Sequence, residues 1–257
     1  MKTNTNVRDK SSCTQVFLFS LIFIITNAFT VMAQVNLEKD VLKTSAGPLE
    51  ITFLGHGSLM FVFDGKIIHV DPYSEVADYS KLPKADLILV THEHGDHLDL
   101  RAISVIKKDN TEIFCTAKCA PSLSGSKIMN NGDRQTFDHV TIEAVPAYNI
   151  KNGPSAGTVF HPKGVGNGYI LTFGQTRVYV AGDTENTPEM KALKNIDIAF
   201  LPMNLPYTMT PEMVADAAEA FRPKVLYPYH YGDTNTQKLV ELLKNDKDIE
   251  VRIRKMK

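Results

Sequence analysis

The stretch THEHGDHLD, residues 91–99, places three imidazoles and three carboxylates within nine positions. His92 and His94 are two residues apart, so in an extended segment both side chains leave the same face and can meet one cation. Gly95 then permits a sharp turn that can swing Asp96 and His97 back toward that face. Imidazole and carboxylate without thiolate is a donor set suited to zinc, iron or manganese. Glu93 leaves the opposite face and is not expected to ligate. A solvated turn followed by a helix cap would account for Asp96 or Asp99, but it leaves three histidines without a purpose.

These groups have to be positioned by the segments around them. Residues 86–90, DLILV, form a continuous apolar run, the pattern of a strand covered on both faces, and the motif begins where that run stops. Upstream, LEITFLG, SLMFVF and KIIHVD read as three antiparallel strands, divided by Gly55-His56-Gly57 and by Asp64-Gly65, a strong hairpin signal. Downstream, Leu100, Ala102, Ile103 and Ile106 follow helical spacing behind Asp99 as N-cap. TEIFCT and HVTIEAV are further strands, and YILTF and RVYVA flank a second hairpin turn at Gly174-Gln175. NIDIAFL is a strand, Thr210 caps a helix with Pro211 in its first turn, KVLYPYH is the last long strand, and residues 237–244 close as a helix. Strands first, then strands alternating with helices, twice over, predict an α/β fold of two packed mixed sheets with helices outside.

The chain has 257 residues, 43% hydrophobic and 22% charged, enough for one large core. A single domain is expected over residues 49–257, preceded by a linker over 34–48. Net charge is −1, with no block of like charges that would suit nucleic acid or a membrane surface. Residues 1–33 differ from the rest. Lys2, Arg8 and Lys10 precede an apolar stretch ending in Val31-Met32-Ala33, the layout of a secretory signal peptide cleaved after Ala33. The rival reading is an uncleaved membrane anchor, because Val16 to Met32 is 17 residues. Export to the periplasm or beyond is therefore expected, with membrane contact only if this segment is retained. Cys115 and Cys119 are either a disulfide or two inert buried thiols.

The HEHGDH segment matches the HxHxDH signature of the metallo-β-lactamase superfamily, whose fold is a four-layer αββα sandwich, and motifs resembling that family extend from about Leu49 to Tyr231. The resemblance implies further roles. Asp71 in HVDP would support the site from behind, Asp183 in AGDT would bridge two metals, and His230 in PYHYGD would complete the second metal's set. It also exposes a departure. In the loop after HVTIEAV, where the family carries a histidine for the first metal, this chain has Asn149. His161, in FHPKGVGNGY, is the nearby candidate, either as ligand or as substrate contact. A two-imidazole site would be short of donors, which favours the ligand role. Asn149 would then hydrogen-bond substrate or a ligand. The expected sets are His92, His94 and His161 for one metal, and Asp96, His97 and His230 for the other, with Asp183 shared. His56 in GHGS contacts substrate or serves the turn. His69, His139, Tyr148, Tyr207 and Tyr231 are expected to be packing or surface residues.

The GHGS turn, Asp183 where true zinc β-lactamases commonly carry cysteine, and the PYHYGD ending resemble the branch holding ascorbate-6-phosphate lactonases and N-acylphosphatidylethanolamine phospholipases D. That implies a binuclear hydrolase holding two divalent ions, zinc foremost with manganese or iron as alternatives. A metal-bridging hydroxide would cleave a phosphodiester, lactone or related ester of a small molecule, with Asp183 and Asp96 as the catalytic carboxylates. The alternative is a metal-dependent binding or sensing protein without turnover. The chain has no room for the flavin domain of the fold's redox members or for the nucleic-acid-binding arm of its RNA-processing members.

Overall fold

Residue alternation and turn chemistry build the first sheet. The structure, a computed structural model, describes residues 1–3 and 37–257, so the expected export segment and its cleavage point lie almost wholly outside the described residues. Strands β2 (Gly47–Gly55), β3 (Ser58–Phe63) and β4 (Lys66–Val70) form an antiparallel meander. Phe63 pairs with Lys66 across Asp64-Gly65, and both turn residues have positive φ (48° and 73°), the geometry that matches strand twist in a two-residue hairpin. Strands β5 (Leu87–Leu89), β6 (Glu112–Cys115) and β7 (Lys127–Ile128) continue the sheet in parallel. Helix α1 (Leu100–Ile106) connects β5 to β6, with Asp99 accepting from the amides of Arg101 and Ala102.

A strand precedes these and corrects the expected linker over 34–48. Residues Glu38–Thr44 are β1, antiparallel to β2 and on the sheet's edge. Its sequence EKDVLKT carries little apolar signal because its ties are polar and distant. Asp40 accepts from Arg252, Arg254 and Tyr227 at the other end of the chain, and Lys39 pairs with Glu50 at 2.6 Å.

The second sheet repeats the plan. Strands β8 (Arg134–Phe137), β9 (Val140–Ala147), β10 (Gly166–Phe173) and β11 (Thr176–Val180) are antiparallel; β12 (Ile198–Pro202), β13 (Val225–Tyr229) and β14 (Glu250–Val251) follow in parallel. Helices α2 (Pro188–Lys191), α3 (Pro211–Phe221) and α4 (Thr236–Leu243) cover its outer face. Thr210 caps α3 by accepting from Met213. The two seven-stranded sheets enclose a core that includes Phe61, Phe114, Phe200 and Tyr227, while Ile88 and Val90 share a second core with Ile103 and Ile106 of α1. The result is the expected four-layer αββα sandwich, because each sheet is apolar on both faces and has to be covered twice. Cys115 and Cys119 are buried free thiols in the α1-side core, and burial pushes the Cys119 thiol up to about 11.

His69 is packed inside β4, fully buried, with one ring nitrogen on the Pro83 carbonyl at 3.2 Å and the other unpartnered. Burial lowers its pKa from 6.5 to about 4. The unfolded chain takes up this proton as soon as pH falls below 6.5, whereas the folded chain resists until about 4. The stability contribution is therefore present above pH 6.5 and lost as pH falls through that window, amounting to about 3 kcal/mol. His69→Leu should flatten this part of the stability profile, read as urea midpoints at pH 7 and pH 4.5; profiles of equal slope would remove His69 as the cause.

Candidate metal centre

Six chain segments deliver their polar groups to one point, among them the loop between β9 and β10 that carries His161, at the end of the sheets where the parallel strands have their carboxyl ends and α/β folds bind ligands. Asp71 follows β4, His92 and its neighbours follow β5, Asp183 follows β11, and His230 follows β13. His56 sits in the turn between β2 and β3. Asp71, His56 and His230 each have φ near +50°, a conformation costly to side chains other than glycine and concentrated where function demands it. The turn after His94 closes by the amides of His97 and Leu98 on the His94 carbonyl (3.0 and 2.7 Å). Gly95 does not use the left-handed region, and a Cβ there would meet nothing. The glycine this site requires is Gly57, whose Cβ would stand 2.8 Å from the His97 ring.

Donor atoms of His92, His94 and His161 lie within 4.8 Å of one another, as do those of His56, Asp96, His97 and His230, and those of His92, His97 and Asp183. Asp183 stands between the first two groups. Its Oδ2 is 3.4 Å from His161 Nε2, 3.5 Å from His230 Nε2 and 4.0 Å from His92 Nε2, and its Oδ1 is 3.4 Å from His97 Nε2. His161 Nε2 and His94 Nδ1 are 3.2 Å apart. Two ligands bound tetrahedrally at 2.0–2.1 Å are separated by about 3.3 Å, so these spacings are near the edges of coordination polyhedra.

The hydrogen-bond network sets which ring nitrogen is free. Asp71 accepts the Thr91 amide at 2.8 Å, the Thr91 hydroxyl at 2.6 Å and His97 Nδ1 at 2.8 Å. The Thr91 hydroxyl, donating to Asp71, accepts from His92 Nδ1 at 3.0 Å. Asn149 is oriented by its partners: Nδ2 donates to the Tyr207 carbonyl (2.8 Å) and to Glu185, while Oδ1 accepts the His161 amide (3.0 Å). Oδ1 therefore also accepts from His161 Nδ1 at 2.5 Å. In all three histidines Nδ1 carries a proton and Nε2 faces the centre, the arrangement that outer hydrogen bonds impose on metal-ligating imidazole.

Among the described residues, ten buried side-chain nitrogen and oxygen atoms lack a hydrogen-bond partner, and half of them belong to residues of this centre: His92 Nε2, His97 Nε2, Asp183 Oδ1 and both ring nitrogens of His230, of which Nε2 faces Asp183. Buried polar atoms without partners are costly, and cations are what this donor set would accept. The electrostatics agree. Burial, reinforced by the charge of His97, holds His92 well below the usual histidine range, and burial lowers His161 to about 4. Burial also opposes charge on His97, but Asp183, Asp71 and Asp96 outweigh it and hold the ring up at about 10. Asp183 and Asp96 stay well below the carboxylate range despite burial, because imidazoles crowd them. A cation entering beside His97 would displace a proton.

All the sequence-predicted ligands thus converge. His161 brings its Nε2 to the centre and Asn149 stands behind it. Glu93 turns away to Lys118, as expected. Tyr148 hydrogen-bonds Glu189, and Tyr231 the Arg254 carbonyl. Two residues escaped the sequence reading. Thr91 immediately precedes the motif, and buried Glu185 follows Asp183 by two positions and holds the amides of Lys151 and Asn152 as well as Asn149. Position beside a ligand was the only local signal for either.

Comparison with known proteins agrees with this geometry. Residues 50–230 match the family described as a beta-lactamase superfamily domain. A UPF0173 metal-dependent hydrolase of Geobacillus thermodenitrificans is 33% identical over 200 residues, covering 72% of this chain and 86% of its own length. Among solved structures, a protein of Parabacteroides distasonis described as a candidate metal-dependent hydrolase is 52% identical, with a TM-score of 0.82 over 86% of this chain and 100% of its own. A metallo hydrolase of Ignicoccus hospitalis is 25% identical, with a TM-score of 0.68 over 81% of this chain and 95% of its own. Sequence, fold and site agree on one assignment: the chain belongs to the metallo-β-lactamase superfamily of metal-dependent hydrolases.

Proposed function

We propose that the centre is binuclear and that the protein hydrolyses a phosphodiester, lactone or related ester of a small molecule. The observation that carries this reading is the position of Asp183 between two donor groups, within 3.4–3.5 Å of His161, His97 and His230. His92, His94 and His161 would hold one ion, Asp96, His97 and His230 the other, with zinc foremost and manganese or iron as alternatives. Bound divalent ions would supply Lewis acidity and a water whose pKa falls from 15.7 toward about 7.

The chain's own residues do the rest. Asp183 stays ionised, so it would hold both ions by a fixed negative charge and is a weak proton acceptor. Asp71, Thr91 and Asn149 hold three rings with Nε2 inward, so the site is ordered before substrate arrives. Asp96, a third exposed, is the carboxylate placed to meet solvent and substrate. Asp183 in place of the thiolate of zinc β-lactamases supports ester and phosphodiester substrates over β-lactams. We further propose export, on the strength of the charged and apolar N-terminal segment; a mature chain beginning at Gln34 in a secreted or periplasmic fraction supports it, and full-length cytosolic protein sinks it.

The test is metal content of the full chain by elemental mass spectrometry after purification without chelator, beside assays with bis(p-nitrophenyl) phosphate and a γ-lactone. About two ions per chain, falling to about one in His161→Ala, with chelation abolishing turnover and added zinc, manganese or iron restoring it, is the expected result. One ion in both proteins would refute the binuclear centre. Two ions with no turnover of either substrate class would favour a binding protein.

A further inference from the structure

His56 is the residue of this centre whose backbone works hardest to be there. It occupies the left-handed region at φ 51°, between Gly55 and Gly57, so a β-carbon stands at the one position of this GHG turn where a third glycine would relieve strain. Its backbone is tied at both ends, the amide to the Lys257 carbonyl at 3.2 Å and the carbonyl to the His230 amide at 3.0 Å. These bonds would serve equally well with glycine. The side chain must therefore justify the strain.

The rings of Tyr73 and His97 stand 5.8 and 6.0 Å from the His56 ring, centroid to centroid, and its two closest contacts are both with candidate ligands. His56 Nε2 lies 2.9 Å from Asp96 Oδ2, and its ring packs on the His230 ring with centroids 3.7 Å apart. A carboxylate only accepts, so Nε2 is the donor. Among the described residues no other group hydrogen-bonds the Asp96 side chain, whereas His97 has Asp71, His92 has Thr91 and His161 has Asn149. Asp96 Oδ2 is also the oxygen facing His230 Nε2 (3.6 Å) and His97 Nε2 (3.8 Å), the longer spacings of a ligand edge. The 2.9 Å separation from His56 is shorter than the roughly 3.3 Å expected between two ligands of one tetrahedral ion, and it is a hydrogen-bond length.

Building on the binuclear reading above, we infer that His56 is a positioning residue for the second ion: it donates to Asp96 and packs on His230, fixing both ligands without binding the ion itself. Removing such an outer partner typically weakens metal affinity about 10- to 100-fold.

The test titrates zinc into the metal-free full chain against a chromophoric chelator, for wild type, His56→Gly, His56→Gln and His56→Phe, with each repeated in the His161→Ala background so that the second ion is read alone. His56→Gly is expected to keep or raise the metal-free Tm while weakening the second ion about 10- to 100-fold and leaving the first unchanged. His56→Gln, whose amide nitrogen reaches as far as Nε2, should recover most of the loss. His56→Phe, which keeps the ring but lacks the donor, should not. Equal affinities in wild type and His56→Gly, with two ions bound in each, would overturn the role of His56 alone; so would a Gln variant as weak as Gly, which would mark His56 as a ligand. A wild-type chain that binds a single ion whatever stands at position 56 would overturn the binuclear reading as well.

Discussion

Asp183→Asn should lower kcat/KM for any substrate of this centre by about 1,000-fold or more and reduce bound metal from the proposed two ions per chain to one or none. The carboxylate is 4% exposed and lies within 3.4–4.0 Å of four imidazole nitrogens drawn from both donor groups. An amide of the same shape keeps one acceptor oxygen but removes the charge and presents a donor to nitrogens or ions that need an anion. Several kcal/mol of charge stabilisation depend on the ions being held, and each 1.36 kcal/mol is tenfold in rate. The substitution changes no volume, so folding should survive, which circular dichroism and elution volume would establish. Activity within tenfold of wild type, with two ions retained, would show that Asp183 is not shared between them.

Asp71→Asn carries the second large effect and tests a different link. Asp71 and His97 are both fully buried, 2.8 Å apart, so the effect of Asp71 has to pass through the groups it hydrogen-bonds. The φ of 46° suits asparagine as well as aspartate, so the backbone should hold. One oxygen can still take the Thr91 amide, but the other position becomes an NH2 facing the Thr91 hydroxyl and His97 Nδ1. His97 must then accept at Nδ1 and carry its proton on Nε2, the atom the proposed second ion would need. The second ion should weaken by about 10- to 100-fold and kcat should fall with it, while KM changes little because substrate binding is untouched. Asp71→Ala should instead destabilise the chain by about 3–5 kcal/mol, leaving buried donors unpaired. A variant Asp71→Asn with unchanged zinc affinity would mean the tautomer of His97 is set elsewhere.

Much of the molecule was written locally. The period-two strands, the Asp64-Gly65 and Gly174-Gln175 turns, and the caps at Asp99 and Thr210 are decided by residues within a few positions of one another, so short-range sterics and hydrogen bonding settle them. The HxHxDH spacing is local in the same sense, and it brought the metal and the fold family with it. Strand β1 was not legible, because what fixes it is an ion-pair cluster between Asp40 and arginines more than 200 residues away.

The sequence by itself therefore determined the donor types, the strand ends that carry them and the layered architecture. The tertiary structure decided what each donor does. It placed His161 rather than Asn149 at the centre, because Asn149 is turned by Tyr207 and Glu185 from other segments. It set which ring nitrogen faces inward through Asp71, Thr91 and Asn149, and it brought His56 onto Asp96 across 40 residues. Tautomer and orientation are properties of hydrogen-bond partners, which the ends of separate strands within each sheet bring together, and the histidines of the HxHxDH segment meet Asp183, His161 and His230 only when the two sheets have packed face to face.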